Sequence, residues 1–153
     1  MGVVMTPRYG TPPESGRTYK LRRGVYAILP RDGQVLVTHQ RDPEPEFQLP
    51  GGGIDPGEPP LTALHREVLE ETGWRIAAPR LFGAFRRFTY MPEYDLWAEK
   101  LCMIYVAHPV RRLGLPTEAG HSEHWMAPGL ALEWLGNPGD RAMLADYSAR
   151  FLT

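Results

Sequence analysis

From Gly51 to Trp74 the chain reads GGGIDPGEPPLTALHREVLEETGW, a stretch that admits few local structures. Pro59 and Pro60 suit a first helical turn, where a missing N–H costs nothing, and Gly73 suits the position just past a helix end. A helix over residues 60–72 follows, behind a glycine-rich loop. At about 100° per residue, Leu61, Leu64, Val68 and Thr72 share a narrow stripe that should face a core. Glu67 and Glu70 then point away from the core, and Glu71 sits at the stripe's edge.

These glutamates are three and four residues apart, so neighbouring pairs repel by roughly 0.2 to 0.5 kcal/mol each. Arg66 is i, i+4 from Glu70, but one arginine does not neutralise three carboxylates. Two readings fit such a face. A charge run is usually solvated surface. A hard cation such as Mg²⁺ also takes oxygen ligands, including one or two carboxylates beside water and phosphate.

The spacing decides between them. Gly52 is followed after five residues by Glu58, and after seven more by Arg66, Glu67, Val68, Leu69, Glu70, Glu71, Thr72, Gly73 and Trp74. This resembles the Nudix box, G-x5-E-x7-R-E-U-x-E-E-x-G-U with U apolar, at every fixed position. Only Trp74 is unusual, since the family carries an aliphatic residue there. At average residue frequencies the fixed positions would coincide by chance on the order of once in 10⁸ starting points. Leu49-Pro50-Gly51 also looks like the family's lead into the box.

The resemblance implies a Nudix-type three-layer α/β/α sandwich with a mixed β-sheet. It implies a hydrolase, MutT-like, that splits a nucleoside diphosphate linked to a group X. On these positions Glu67, Glu70, Glu71 and the carbonyl of Gly51 would hold Mg²⁺ or Mn²⁺. Arg66 would orient the glutamates, and Glu58 would tie the loop to the helix. A diphosphate repels nucleophiles, so the chemistry needs cations on the phosphate oxygens and a general base for the attacking water. Glu70 or Glu71 could be that base. Family members also use a glutamate from a later loop, for which Glu118 and Glu123 are the candidates.

Other residues fit the site less specifically. Arg22, Arg23, Arg86 and Arg87 could grip phosphates, as arginine suits bidentate oxygen contacts, although strand arginines commonly face solvent. Tyr90, Tyr94 and Trp97 could stack on a base or simply pack. The set carried forward for substrate is Arg23, Arg86 and Tyr90. His121 and His124 lack the partners a zinc site requires.

The substrate is open at this level. A nucleoside or deoxynucleoside triphosphate, cut to monophosphate and pyrophosphate, is the expectation by analogy with MutT-type enzymes. ADP-ribose, a nucleotide sugar or a dinucleoside polyphosphate are the alternatives. Thr89 stands where ADP-ribose hydrolases often carry proline, and Tyr90 is faintly like dinucleoside polyphosphate hydrolases. A non-catalytic nucleotide-binding Nudix domain is the reading from another class, against which the retained acids speak. The family's isoprenoid diphosphate isomerases rely on an active-site cysteine, and Cys102 falls in an apolar strand.

The remaining pattern is consistent with one small domain. The 153 residues are 42% apolar with a net charge near −1, which argues against a polymer-scale nucleic-acid surface. One cysteine allows no intrachain disulfide, and no apolar run is long enough to span a membrane. A cytoplasmic protein, monomeric or a homodimer, is expected. Residues 1–20 read as a loose arm and 21–153 as the domain. Strands are expected at 25–29 and 34–40 around Asp32-Gly33, at 47–49, 75–90 and 96–108. A loop covers 109–120, and short helices are expected at 129–135 and 140–151, the second with Met143, Leu144, Tyr147 and Phe151 on its packed side.

Overall fold

The computed structural model describes residues 6–152. Its elements are β1 (Lys20–Ile28), β2 (Pro30–Arg31), β3 (Gln34–Gln40), β4 (Glu46–Gln48), β5 (Gly51–Gly53), α1 (Pro60–Thr72), β6 (Trp74–Met91), β7 (Leu96–Arg112), β8 (His121–Met126), α2 (Pro128–Trp134) and α3 (Pro138–Phe151). A single 3-10 turn, Pro92–Tyr94, links β6 to β7.

The helix α1 begins and ends where proline and glycine dictate. Gly73 takes the left-handed conformation at φ 77° and donates its N–H to the Leu69 carbonyl at 2.8 Å. Its buried face is rotated from the expected stripe. Leu61 is exposed, whereas Ala63, Leu64, Val68, Glu71 and Thr72 are buried. The rotation carries Glu71 inward from the edge position that the sequence assigned to it.

One sheet has the order β5-β1-β7-β6, with β1 and β7 parallel and the other pairs antiparallel. The second is antiparallel, with β2 and β4 along one side of β3 and β8 along the other. Side chains alternate across β1, as strand geometry requires. Val25 and Ala27 pack with Ala63, Leu64 and Val68 of α1, while Ile28 packs with Ala131 of α2 and Met143 and Leu144 of α3. Helices therefore cover both faces, giving an α/β sandwich of three layers around a mixed sheet.

Three expectations change on the structure. Asp32-Gly33, both at positive φ, closes the hairpin of β2 with β3, and β1 belongs to the other sheet. The segment 121–126 is a strand whose polar sequence hid it; its backbone pairs with the whole of β3. Phe151, expected on the packed side of α3, is exposed and meets only Tyr147 among its ring partners in that helix.

Of the expected loose arm, residues 1–5 lie outside the described residues. From Thr6 onward the arm runs against β6. Arg86 donates its N–H to the Pro7 carbonyl at 2.8 Å and accepts that of Tyr9 at 3.0 Å. Tyr9 meets Phe85 edge-on at 5.8 Å, Tyr19 meets Phe88 at 5.0 Å, and the Arg17 guanidinium sits 3.7 Å over Trp97. No helix among the described residues is long and apolar enough to cross a membrane.

Asp140, in the first turn of α3, is 3% exposed and accepts the Leu49 N–H at 3.1 Å. Burial pushes its carboxyl up to about 7. The folded state then holds a proton that the unfolded chain releases near pH 4, so this group's stabilisation is complete below pH 4 and is lost as pH rises through 7. Asp140→Asn keeps an acceptor for Leu49 and removes the titration. The stability of the wild type relative to this variant is expected to fall between pH 4 and 8, as followed by urea unfolding. A pH-independent difference would contradict the assignment.

Candidate active site

The glycine strand β5 sits between β1 and α1, held at close quarters. The Gly51 N–H donates to Glu71 Oε1 at 3.1 Å, the preceding Pro50 carbonyl accepts the Ala27 N–H at 2.8 Å, and Asp140 holds Leu49. A Cβ on Gly52 would run into the Glu67 carboxylate, so only glycine lets that carboxylate pack against the loop.

Arg66 binds the acids from the other side. Its guanidinium donates Nε and one terminal nitrogen to the two Glu58 oxygens, each at 2.8 Å, and its other terminal nitrogen reaches Glu67 at 3.0 Å and Glu70 at 3.3 Å. That fork holds the Glu58 carboxyl down to about 2. Glu58 also accepts the Asp55 N–H at 3.1 Å, so its carboxylate is bonded both within the loop and to Arg66 of α1.

The metal-type acids behave differently. Burial pushes the Glu67 carboxyl up to about 7 and raises Glu71 well above the usual carboxylate range. Desolvation penalises the anion of both, Glu67 even with Arg66 at 3.0 Å, so a cation placed beside them would favour their ionised form.

Of the two loop glutamates, only Glu118 joins this cluster. Thr117 and Glu118 donate their backbone N–H groups to the Glu70 carbonyl at 2.8 and 3.0 Å, which brings the Glu118 side chain back to α1. Ligand atoms of Glu67, Glu70 and Glu118 lie within 4.8 Å of one another, as do those of Glu71, Glu118 and His121. Glu123 is placed elsewhere. As part of β8 it accepts the Trp74 indole N–H at 2.8 Å and pairs with Arg112 at 2.7 Å. Its carboxylate is already satisfied.

His121, passed over in the sequence for want of zinc partners, lies 3.5 Å from Glu71. Its closeness to Glu118 in the chain was the available signal. Together Glu67, Glu71, Glu118, His121, Gly51 and Tyr26 help to line a cleft of about 700 Å³.

Two hollows adjoin that cleft. Arg23 lines one of them, with Tyr94, while Tyr90 lines the other, with Arg87. Tyr90 also stacks on Trp97 at 5.2 Å and donates a hydrogen bond to Asp95. Arg86 lines neither hollow nor the cleft. Arg87 is the residue paired with Lys100 at the hollow, so Arg86, one position earlier, projects from the opposite face. Lys100 lines the cleft and both hollows, although nothing marks it out within its alternating strand in the sequence.

The model of a family described as NUDIX domain matches residues 18–147. Among curated relatives, a protein of Bacillus subtilis named putative 8-oxo-dGTP diphosphatase is 35% identical over 75 residues, 49% of this chain and 50% of its own length. An RNA pyrophosphohydrolase of Helicobacter pylori is 48% identical over 59 residues, 35% of this chain and 38% of that one. The chain thus matches half or less of these relatives' lengths. Among solved structures, a NUDIX hydrolase from Nitrosomonas europaea superposes with a TM-score of 0.71 at 22% identity, covering 86% of this chain and 90% of the other. That likeness is one of fold.

Proposed function

Because this chain belongs to the Nudix family, we propose that it is a metal-dependent pyrophosphohydrolase, cutting the phosphoanhydride of a nucleoside diphosphate linked to X. The preferred substrate is a nucleoside or deoxynucleoside triphosphate, cut to monophosphate and pyrophosphate. The observation that carries this reading is the meeting of Glu67, Glu70 and Glu118 at ligand spacing, with Glu71 buried beside them. Relatives named for 8-oxo-dGTP and for RNA pyrophosphohydrolysis support a nucleotide-type substrate.

The donor set fits Mg²⁺ or Mn²⁺. It consists of carboxylate oxygens and the Gly51 carbonyl, and burial opposes the charge of two of the carboxyls, which a bound cation would offset. Glu67, Glu70, Glu71 and Gly51 would hold the ion. When bound, it supplies charge neutralisation on the phosphates and acidifies the attacking water. Arg66 keeps Glu67 and Glu70 aligned, and Glu58 fixes Arg66. Glu118 is the group placed to take the water's proton, since its carboxylate has no ion-pair partner among the described residues and faces the cleft. The single buried thiol, Cys102, fits a reducing cytoplasm, with the protein acting as a monomer or homodimer on a small molecule.

An assay in Mg²⁺ and Mn²⁺ over nucleoside triphosphates, ADP-ribose, nucleotide sugars and dinucleoside polyphosphates tests the reading. Metal-dependent release of pyrophosphate from a triphosphate supports it; tight nucleotide binding without turnover of any substrate overturns it. Within an active enzyme, Glu118→Gln is expected to lower kcat by roughly 10²-fold or more. Glu123→Gln should cost stability through Trp74 and Arg112 and leave kcat within a few-fold. Equal losses in the two variants would remove Glu118 from its role.

A further inference from the structure

Sheet register sets three cations side by side. Arg22 of β1 stands opposite Lys100 of β7, and Lys100 stands opposite Arg87 of β6. Residues paired across strands project from the same face, so the three form a row spanning two strand spacings, about 10 Å. Lys100 lies at the junction: it lines the cleft of Glu67 and Glu71, the hollow that holds Arg22 and the hollow that holds Arg87.

No carboxylate among the described residues forms an ion pair with any of the three. Glu44, Glu46 and Glu93 share the hollow of Arg87 without reaching ion-pair distance, and the buried Asp140 turns to Leu49. The Arg22 Nε is shielded from solvent and lacks an acceptor, while Tyr94 covers its guanidinium at 4.8 Å. Like charges directly opposite on neighbouring strands repel. Three in a row, without an ion-pair partner among the described residues and next to the cleft of Glu67 and Glu71, call for an anionic occupant.

We propose that Arg22, Lys100 and Arg87 form a subsite for the phosphate chain of X beyond the anhydride being cut. Substrates whose X carries further phosphate are then favoured over those in which X is a neutral sugar. This identification of X rests on the hydrolase reading above, whereas the row's affinity for polyphosphate does not.

The probe is inorganic tripolyphosphate, titrated calorimetrically into metal-free protein. Wild type is expected to bind it, with an affinity that weakens as salt is raised. Lys100→Gln should weaken binding about ten-fold, and the Arg22→Gln/Arg87→Gln pair further, as each loses a charge-assisted contact. Thermal unfolding should show Lys100→Gln at least as stable as wild type, since repulsion is relieved. Should that variant not fold, Lys100→Met serves the same comparison. Absence of binding to wild type, or equal affinity in wild type and the Lys100 variant, overturns the proposal.

With Mg²⁺, the ratio of kcat/KM for a nucleoside triphosphate to that for a nucleotide sugar should fall about ten-fold in Lys100→Gln. An unchanged ratio removes X from the row. If wild type hydrolyses no nucleotide at all, the hydrolase reading fails, and the tripolyphosphate titration still decides the subsite.

Discussion

Glu71→Gln is expected to lower kcat/KM on the order of 10³-fold while the protein stays folded, a loss comparable with removing one group that stabilises transition-state charge. The structure explains why fold and activity separate at this position. The Gly51 N–H donates to Glu71 Oε1, and the carbonyl oxygen of glutamine can accept the same bond. What disappears is an ionisable carboxyl whose burial costs stability at neutral pH, because the unfolded chain holds it ionised and burial disfavours that form. The metal-free variant should therefore melt at or above the wild-type temperature. The stabilisation that Mg²⁺ gives the wild type should shrink or vanish in it, because a ligand raises stability only by binding the folded state. Wild-type turnover in this variant, measured by pyrophosphate release, would falsify the place of Glu71 in the site.

Gly51→Ala should produce the other large effect, by a different route. Gly51 has φ +148°, and a Cβ there would overlap the Val25 carbonyl and the Tyr26 Cα. Both obstacles are backbone atoms of the adjoining strand, so no side chain can swing aside. Separating β5 from β1 should cost about 3 kcal/mol, the upper range for overpacking, and be read as a lowered urea midpoint. Activity should fall with it, since the same shift displaces the Gly51 N–H from Glu71. Gly53→Ala is the matched control. Its Cβ would meet nothing within 4 Å, and its midpoint should move by less than about 0.5 kcal/mol equivalent. A Gly51 variant as stable as the Gly53 variant would show that β5 is free to move.

The helix limits and the clustering of Glu67 with Glu70 were legible because they depend on spacing along one helix, whereas the roles of Arg66 and Glu58 came only with the family resemblance. The inward rotation of Glu71 was not, because it follows from which neighbours α1 meets: Ala63 lies in the core where Leu61 was expected. Likewise β8 carries charged and polar residues along most of its length, and only its pairing with β3 makes it a strand. The choice between Glu118 and Glu123 depends on backbone bonds to Glu70 in one case and on Trp74 and Arg112 in the other. Neither is written in the local sequence. Arg22 lies far in the chain from the hairpin that carries Arg87 and Lys100, and only register brings the three into line.

The bonds from residues 117 and 118 to the end of α1 have a further consequence. Leu113 donates to the Gly73 carbonyl at 2.8 Å, and Thr117 and Glu118 donate to that of Glu70, so the loop is stapled at both ends of a short span. Between the staples the Gly114 carbonyl lies so close to Gly73 that a Cβ there would overlap it, which ties the span carrying Glu118 to the left-handed turn that ends α1. A side chain added at Gly73, which lies outside the cleft, would therefore reach Glu118 through backbone alone.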